Sequence, residues 1–209
     1  MKEEICSLAS GPLELDARLL QQGSAMGLIM CHPHPLFGGT MDNKVVATVI
    51  RAAQRLGMNT LRFNFRGVGN STGEHDKGQG EQGDVLAAID FAVQQGWQRI
   101  IVAGFSFGAG MACLALNRLT EDMQQTVTQA ILIAPAVHHF DAPNTLPAMI
   151  DVAVVMGDAD EVVPFDEVDD WAQRVIPTPE WITFENTSHF FHGRLVDLAQ
   201  TMSELLSDR

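Results

Sequence analysis

The chain has 209 residues, 46% of them apolar, and a formal net charge of −13; this is enough for one well-buried core, and residues 1–209 are read as a single domain. So acidic a chain repels phosphate backbones and anionic bilayers, and no apolar run nears the roughly 18 residues of a membrane span, so neither nucleic acid nor membrane is expected as a partner. Three widely spaced cysteines without a C-x-x-C pair, and an opening Met1-Lys2-Glu3-Glu4 with no apolar block behind it, argue against a disulfide framework and a secretion signal and predict a cytoplasmic protein.

Leu13 to Leu20 alternates apolar and charged residues and is read as an edge strand. Gly27 to Cys31 is a continuous apolar run, the pattern of a strand buried on both faces. From Asn43 the residues Val45, Val46, Val49, Ile50, Ala53 and Leu56 recur at helical spacing, with Gly57 as the stop. A strand over Thr60 to Phe65 leads into a glycine-rich loop at 66–73, and a helix follows from Gly83 to Gln95. The alternation continues with strand Arg99 to Gly104, helix Phe107 to Leu119, strands Ala130 to Ala134 and Val152 to Met156, helix Phe165 to Val175, strand Trp181 to Glu185 and helix Gly193 to Leu206. Repeated β-α-β order predicts an α/β fold, a mostly parallel central sheet of about six to eight strands with helices on both faces. The one gap, His138 to Ile150 with Pro143 and Pro147, is too short for a cap domain.

Gly104-Phe105-Ser106-Phe107-Gly108 matches G-x-S-x-G between a buried strand and a helix. That setting lifts a serine hydroxyl off the sheet edge on a tight, strained turn, beside the N–H of Phe107 at a helix start. Ser106 is therefore the predicted nucleophile. The strand–elbow–helix setting resembles that of the α/β-hydrolases, whose chain order of serine, then acid, then histidine implies His189 or His192 as the base. His189, on the loop after a strand and ahead of Phe190 and Phe191, is preferred; His192 lies nearer the helix start. For the acid, Asp158 reads as a turn former and Asp166 as a helix-start charge, so Asp160 takes the orienting role with Glu161 in reserve.

The loop Cys31-His32-Pro33-His34-Pro35-Leu36-Phe37-Gly38-Gly39 follows the first buried strand, where elbow enzymes place a second oxyanion donor. Proline has no N–H, so the donor is the amide of His34 or Leu36, with His34 favoured beside Phe107. A competing view takes His32 and His34, with His138 and His139, as metal ligands. Two imidazoles without a Cys or carboxylate pattern specify no known metal site, and no metal is expected.

With Phe63-Asn64-Phe65-Arg66-Gly67-Val68-Gly69-Asn70-Ser71 and Ser188-His189-Phe190-Phe191-His192-Gly193, these motifs make nearly the whole chain, Leu13 to Leu206, resemble the α/β-hydrolase superfamily. Within it the resemblance is to a small lidless bacterial group near the dienelactone-hydrolase-like enzymes. It implies a triad of Ser106, Asp160 and His189, an oxyanion hole from the amides near His34 and Phe107, and no cofactor. Dienelactone hydrolases proper carry cysteine at the nucleophile position and His-Gly in the oxyanion loop, so dienelactone ring-opening is not carried over. The expected activity is hydrolysis of a small acyl ester, with a cleft wall from Phe107, His138, His139 and Phe140. A thioesterase, an amidase or peptidase, and a non-catalytic binding protein of the same fold are the alternatives.

Overall fold

In the computed structural model, which describes residues 2–207 apart from the His138 side chain, the apolar runs of the sequence become the middle of one eight-stranded sheet. The strands are β1 (Glu4–Ser10), β2 (Leu13–Leu20), β3 (Met26–Cys31), β4 (Asn59–Phe63), β5 (Arg99–Phe105), β6 (Val127–Ile133), β7 (Asp151–Gly157) and β8 (Glu180–Phe184), in the order β1-β2-β4-β3-β5-β6-β7-β8. Only β2 runs against the rest, pairing antiparallel with β1 and β4. From β3 and β4 to β7 and β8 every pairing is parallel.

The helices are α1 (Lys44–Arg55), α2 (Gln79–Gln94), α3 (Phe107–Leu116), α4 (Glu121–Thr126), α5 (Phe165–Arg174) and α6 (Leu195–Ser207). On one face α1 packs against α6; on the other α2 packs against α3. Asn43 caps α1 by accepting the Val45 amide at 2.8 Å, and Val45, Val46, Val49 and Ile50 turn its apolar stripe to the sheet. α3 is apolar almost all round and buries nine of its ten residues, as suits a helix leaving the central strand. None of the described helices is long and apolar enough to cross a membrane.

Three expectations are corrected. Leu13–Leu20 is a strand but not the edge: β1 covers it, pairing Glu4 with Leu19 through Ser10 with Leu13. The second helix begins at Gln79, not Gly83, because the buried Glu81 carboxylate accepts the Asp76 and Gly78 amides at 2.7 and 2.9 Å and closes a first turn. The helix after Ser106 ends at Leu116 instead of Leu119, and Thr120 caps the short α4 that comes next. The 138–150 excursion begins in a one-turn 3₁₀ helix, Val137–His139, and is pinned by a parallel bridge of Thr145 to Ile176 and by the Trp171 indole donating to Pro143 O at 3.0 Å.

Candidate active site

β5 delivers the chain to Ser106 and α3 carries it away, so the turn must reverse within one residue. Ser106 stands at φ 56°, ψ −117°, a region L-residues rarely occupy. A Cβ at Gly104 would lie 2.4 Å from Gly108 O, and one at Gly108 would lie 2.5 Å from the carbonyls of Cys31 and His32. Both sites therefore require glycine for close backbone approach. The turn is held by Ser106 N–H donating to Ile133 O at 2.8 Å, while Ser106 O accepts the Gly110 and Ala136 amides at 3.1 and 3.2 Å.

Two loops at the same sheet edge reach this hydroxyl. From the loop after β8, His189 Nε2 lies 3.0 Å from Ser106 Oγ. From the loop after β7, Asp160 Oδ2 lies 2.7 Å from His189 Nδ1, so Nδ1 carries the proton and Nε2 is free to accept from serine. Asp160 Oδ1 accepts the Val162 and Val163 amides, each at 2.8 Å, and the carboxylate is fully buried. The loops are stitched together by Ala159 N–H donating to Thr187 O at 3.2 Å and by His189 N–H donating to Glu161 Oε2 at 3.1 Å. Ser106, His189 and Asp160 thus meet in one hydrogen-bonded row. Glu161 holds the backbone of the histidine loop instead of its ring. His192 is exposed and touches Phe190, Asp158 faces solvent, and Asp166 sits exposed in the first turn of α5. Of the two phenylalanines between the histidines, Phe191 is fully buried against Phe184 and anchors the loop, whereas Phe190 stays partly exposed over the Phe105 and His189 rings.

The His-Pro loop after β3 assigns its two imidazoles opposite jobs. His32 is completely buried; its Nδ1 lies 2.6 Å from Pro33 O and its Nε2 accepts the Phe65 amide at 3.0 Å. Burial lowers its pKa to about 4, so it is a neutral strut with both ring nitrogens occupied and none to offer a metal. His34 is half-buried, and its Nδ1 accepts the Leu36 amide at 3.2 Å, which takes Leu36 out of contention as an oxyanion donor. The amides of His34 and Phe107 have no hydrogen-bond partner among the described residues. Burial first, and then the neighbouring His75 and His139, lower the His34 pKa.

Ser106 opens on two lobes of a cleft. The larger, about 740 Å³, is walled by Phe107, Phe140, Val163 and His34; the smaller, about 330 Å³, by His189, Phe190 and Gly39. Of the expected wall, Phe107, His139 and Phe140 line the larger lobe; the His138 side chain lies outside the described residues. His75 and Lys77, also in that wall, were not anticipated. They come from the loop between β4 and α2, where no periodicity marks a lining residue. His75 Nδ1 lies 2.8 Å from a Glu81 oxygen, but off the line a hydrogen bond needs. The loop is steered there by Arg66, whose guanidinium grips the buried Asp84 at 2.7 and 3.0 Å while Ser10 donates to the same carboxylate at 2.7 Å.

Comparison with known proteins agrees with this architecture. A family model described as the alpha/beta hydrolase fold matches residues 33–151. An uncharacterised protein of Rickettsia prowazekii (strain Madrid E) is 32% identical over 188 residues, covering 85% of this chain and 77% of its own. A solved alpha-beta serine hydrolase homologue from Coxiella burnetii superposes with TM-score 0.87 at 36% identity, over 99% of this chain and 98% of the other. A solved serine hydrolase without lid from Xanthomonas campestris gives TM-score 0.86 at 34% identity, over 98% of this chain and 93% of the other. On sheet order, elbow and these relatives together, the chain belongs to the α/β-hydrolase family, with the small lidless serine hydrolases.

Proposed function

We propose that the protein hydrolyses small acyl esters through an acyl-enzyme on Ser106, with His189 as base and then acid, and Asp160 as the orienting carboxylate. The observation that carries this reading is His189 set between Asp160 Oδ2 at 2.7 Å and Ser106 Oγ at 3.0 Å. Its Nε2 takes the Ser106 proton as Oγ bonds to the ester carbon and the carbonyl electron pair moves onto oxygen. The unpartnered amides of His34 and Phe107 receive that oxyanion; each such donor contributes about 10²–10³ in rate. Collapse breaks the bond to the alkoxide, which leaves with the proton from His189. Water then gives a proton to His189, attacks the acyl carbon and frees the acid, and Ser106 recovers its proton. The chain supplies every group these steps need without a cofactor.

Support also comes from the description of the Coxiella and Xanthomonas relatives as serine hydrolases. The uncapped cleft fits a small-molecule ester. A fluorophosphonate probe tests the reading: it should label Ser106 covalently and fail on Ser106→Ala. A panel of acyl esters, thioesters and peptides should then show esters turned over fastest. A folded wild-type protein that takes no label and cleaves nothing in the panel would be a binding protein and would sink the proposal; faster thioester or peptide cleavage would move the substrate class.

A further inference from the structure

The assignment of an occupant to each lobe of the cleft rests on the roles proposed for Ser106 and His189. His189 must hand its proton to the departing oxygen, so the alcohol arm lies on the His189 side, in the lobe of about 330 Å³. The acyl arm is left the lobe of about 740 Å³, which Ser106 and Phe107 line and His189 does not. That lobe does not end in an apolar wall. Lys77, His139 and Phe140 line both it and a neighbouring polar cavity of about 650 Å³.

The neighbouring cavity holds two cations, Lys77 and Arg118, with Gln79 and Gln82 beside them and Asp141 as the carboxylate in its lining; Glu74 lines the acyl lobe but not this cavity. Neither cation is among the ion pairs of the described residues, and Arg118 donates to the neutral Gln82 at 3.2 Å. Both cations are exposed, and in this lining they outnumber the one carboxylate, in a chain where carboxylates outnumber lysines and arginines 26 to 13. The start of α2 does not supply the attraction, since the Gly78 amide is spent on Glu81 and the Gln79 amide on Asp76 O. We infer that the acyl arm of the substrate ends in an anion, a carboxylate or a phosphonate-like group, which Lys77 and Arg118 receive in the polar cavity while the carbon chain crosses the larger lobe.

The test compares mono-p-nitrophenyl esters of adipic, suberic and sebacic acids with neutral p-nitrophenyl alkanoates of matched length, together with one acyl chain ending in phosphonate. At least one anionic ester should exceed its neutral match about tenfold in kcat/KM, as charge-assisted hydrogen bonds at a solvent-open site give. Added salt should shrink that ratio, and the Lys77→Gln/Arg118→Gln double variant should bring it to about one. An advantage for carboxylate or for phosphonate supports the subsite and says which anion it takes; no advantage for either overturns it. Calorimetry with the monomethyl diacid esters on Ser106→Ala reads the subsite without turnover. Binding there that ignores Lys77 and Arg118 overturns the subsite even if neutral esters are hydrolysed. Binding that depends on them, in a protein that hydrolyses no ester, keeps the subsite and overturns the catalytic reading instead.

Discussion

The loop after β3 and the loop after β8 each bury one imidazole and occupy both of its nitrogens, and the two differ only in what those nitrogens meet. His32 meets backbone, a carbonyl at 2.6 Å and an amide at 3.0 Å. His189 meets side chains, a carboxylate at 2.7 Å and a hydroxyl at 3.0 Å. A proton arriving on His32 would set N–H against the Phe65 N–H with no anion to offset it, so that ring stays neutral. A proton arriving on His189 comes from a group able to lose it and faces a carboxylate able to stabilise the imidazolium. Partner chemistry, not burial, separates the strut from the proposed proton carrier.

The sharpest way to break the contrast is at the carrier. Ser106→Ala and His189→Ala should each cost roughly 10⁶-fold in kcat on a model ester, with the double variant scarcely worse, because the two act in one step. Steady-state rates of the three variants check this; additive losses would mean the residues act separately. Asp160→Ala should cost less, on the order of 10⁴-fold, since the imidazole survives without its orientation. Asp158→Ala and His192→Ala serve as controls and should keep most activity. If His192→Ala abolishes turnover while a folded His189→Ala retains it, the base has been assigned to the wrong loop.

At the strut the expected effect is on stability. His32 has a folded pKa of about 4, below the ordinary 6.5, so the unfolded chain binds its proton first. Its contribution is complete above about pH 6.5 and is lost as pH falls toward 4, about 3 kcal/mol in all. Urea midpoints measured across that window should fall with pH in the wild type and fall less steeply in His32→Asn. The smallest effect belongs to Glu161, whose carboxylate holds the His189 amide from an exposed position. Glu161→Ala should lower kcat about fivefold, in line with one lost hydrogen bond of about 1 kcal/mol, and Glu161→Gln should restore most of it by keeping an acceptor.

The central strands and the elbow were legible in the sequence because they obey local rules: strands covered on both faces read as unbroken apolar runs, and the strand-to-helix turn needs its two glycines. The edge was misread for a physical reason. Alternation along Leu13–Leu20 reports that one face of β2 lacks cover, which is a different matter from lacking a neighbour, and β1 buries little beyond Leu8, Ala9 being exposed and Ser10 buried. His189 and Asp160 could be placed at the right edge by chain order and loop position. His75 and Lys77 could not, because the loop that brings them over Phe107 is set by Arg66, Asp84 and Ser10, a contact joining residues 74 apart in the chain. Nor could sequence distinguish His32 from His34, since the Phe65 amide that occupies the second nitrogen of His32 arrives from beyond β4, 33 residues along the chain.

The backbone at Ser106 sets heat resistance against chemistry at a single torsion. A serine held at φ 56° costs roughly 1–3 kcal/mol, and glycine would occupy the same turn without that penalty. Selection for a hardier chain alone would therefore favour Ser106→Gly, removing the oxygen proposed to react while leaving the rest of the site standing. An engineer seeking a more durable form of this protein has to look for stability away from the elbow, in the loops and surface that the reaction does not use.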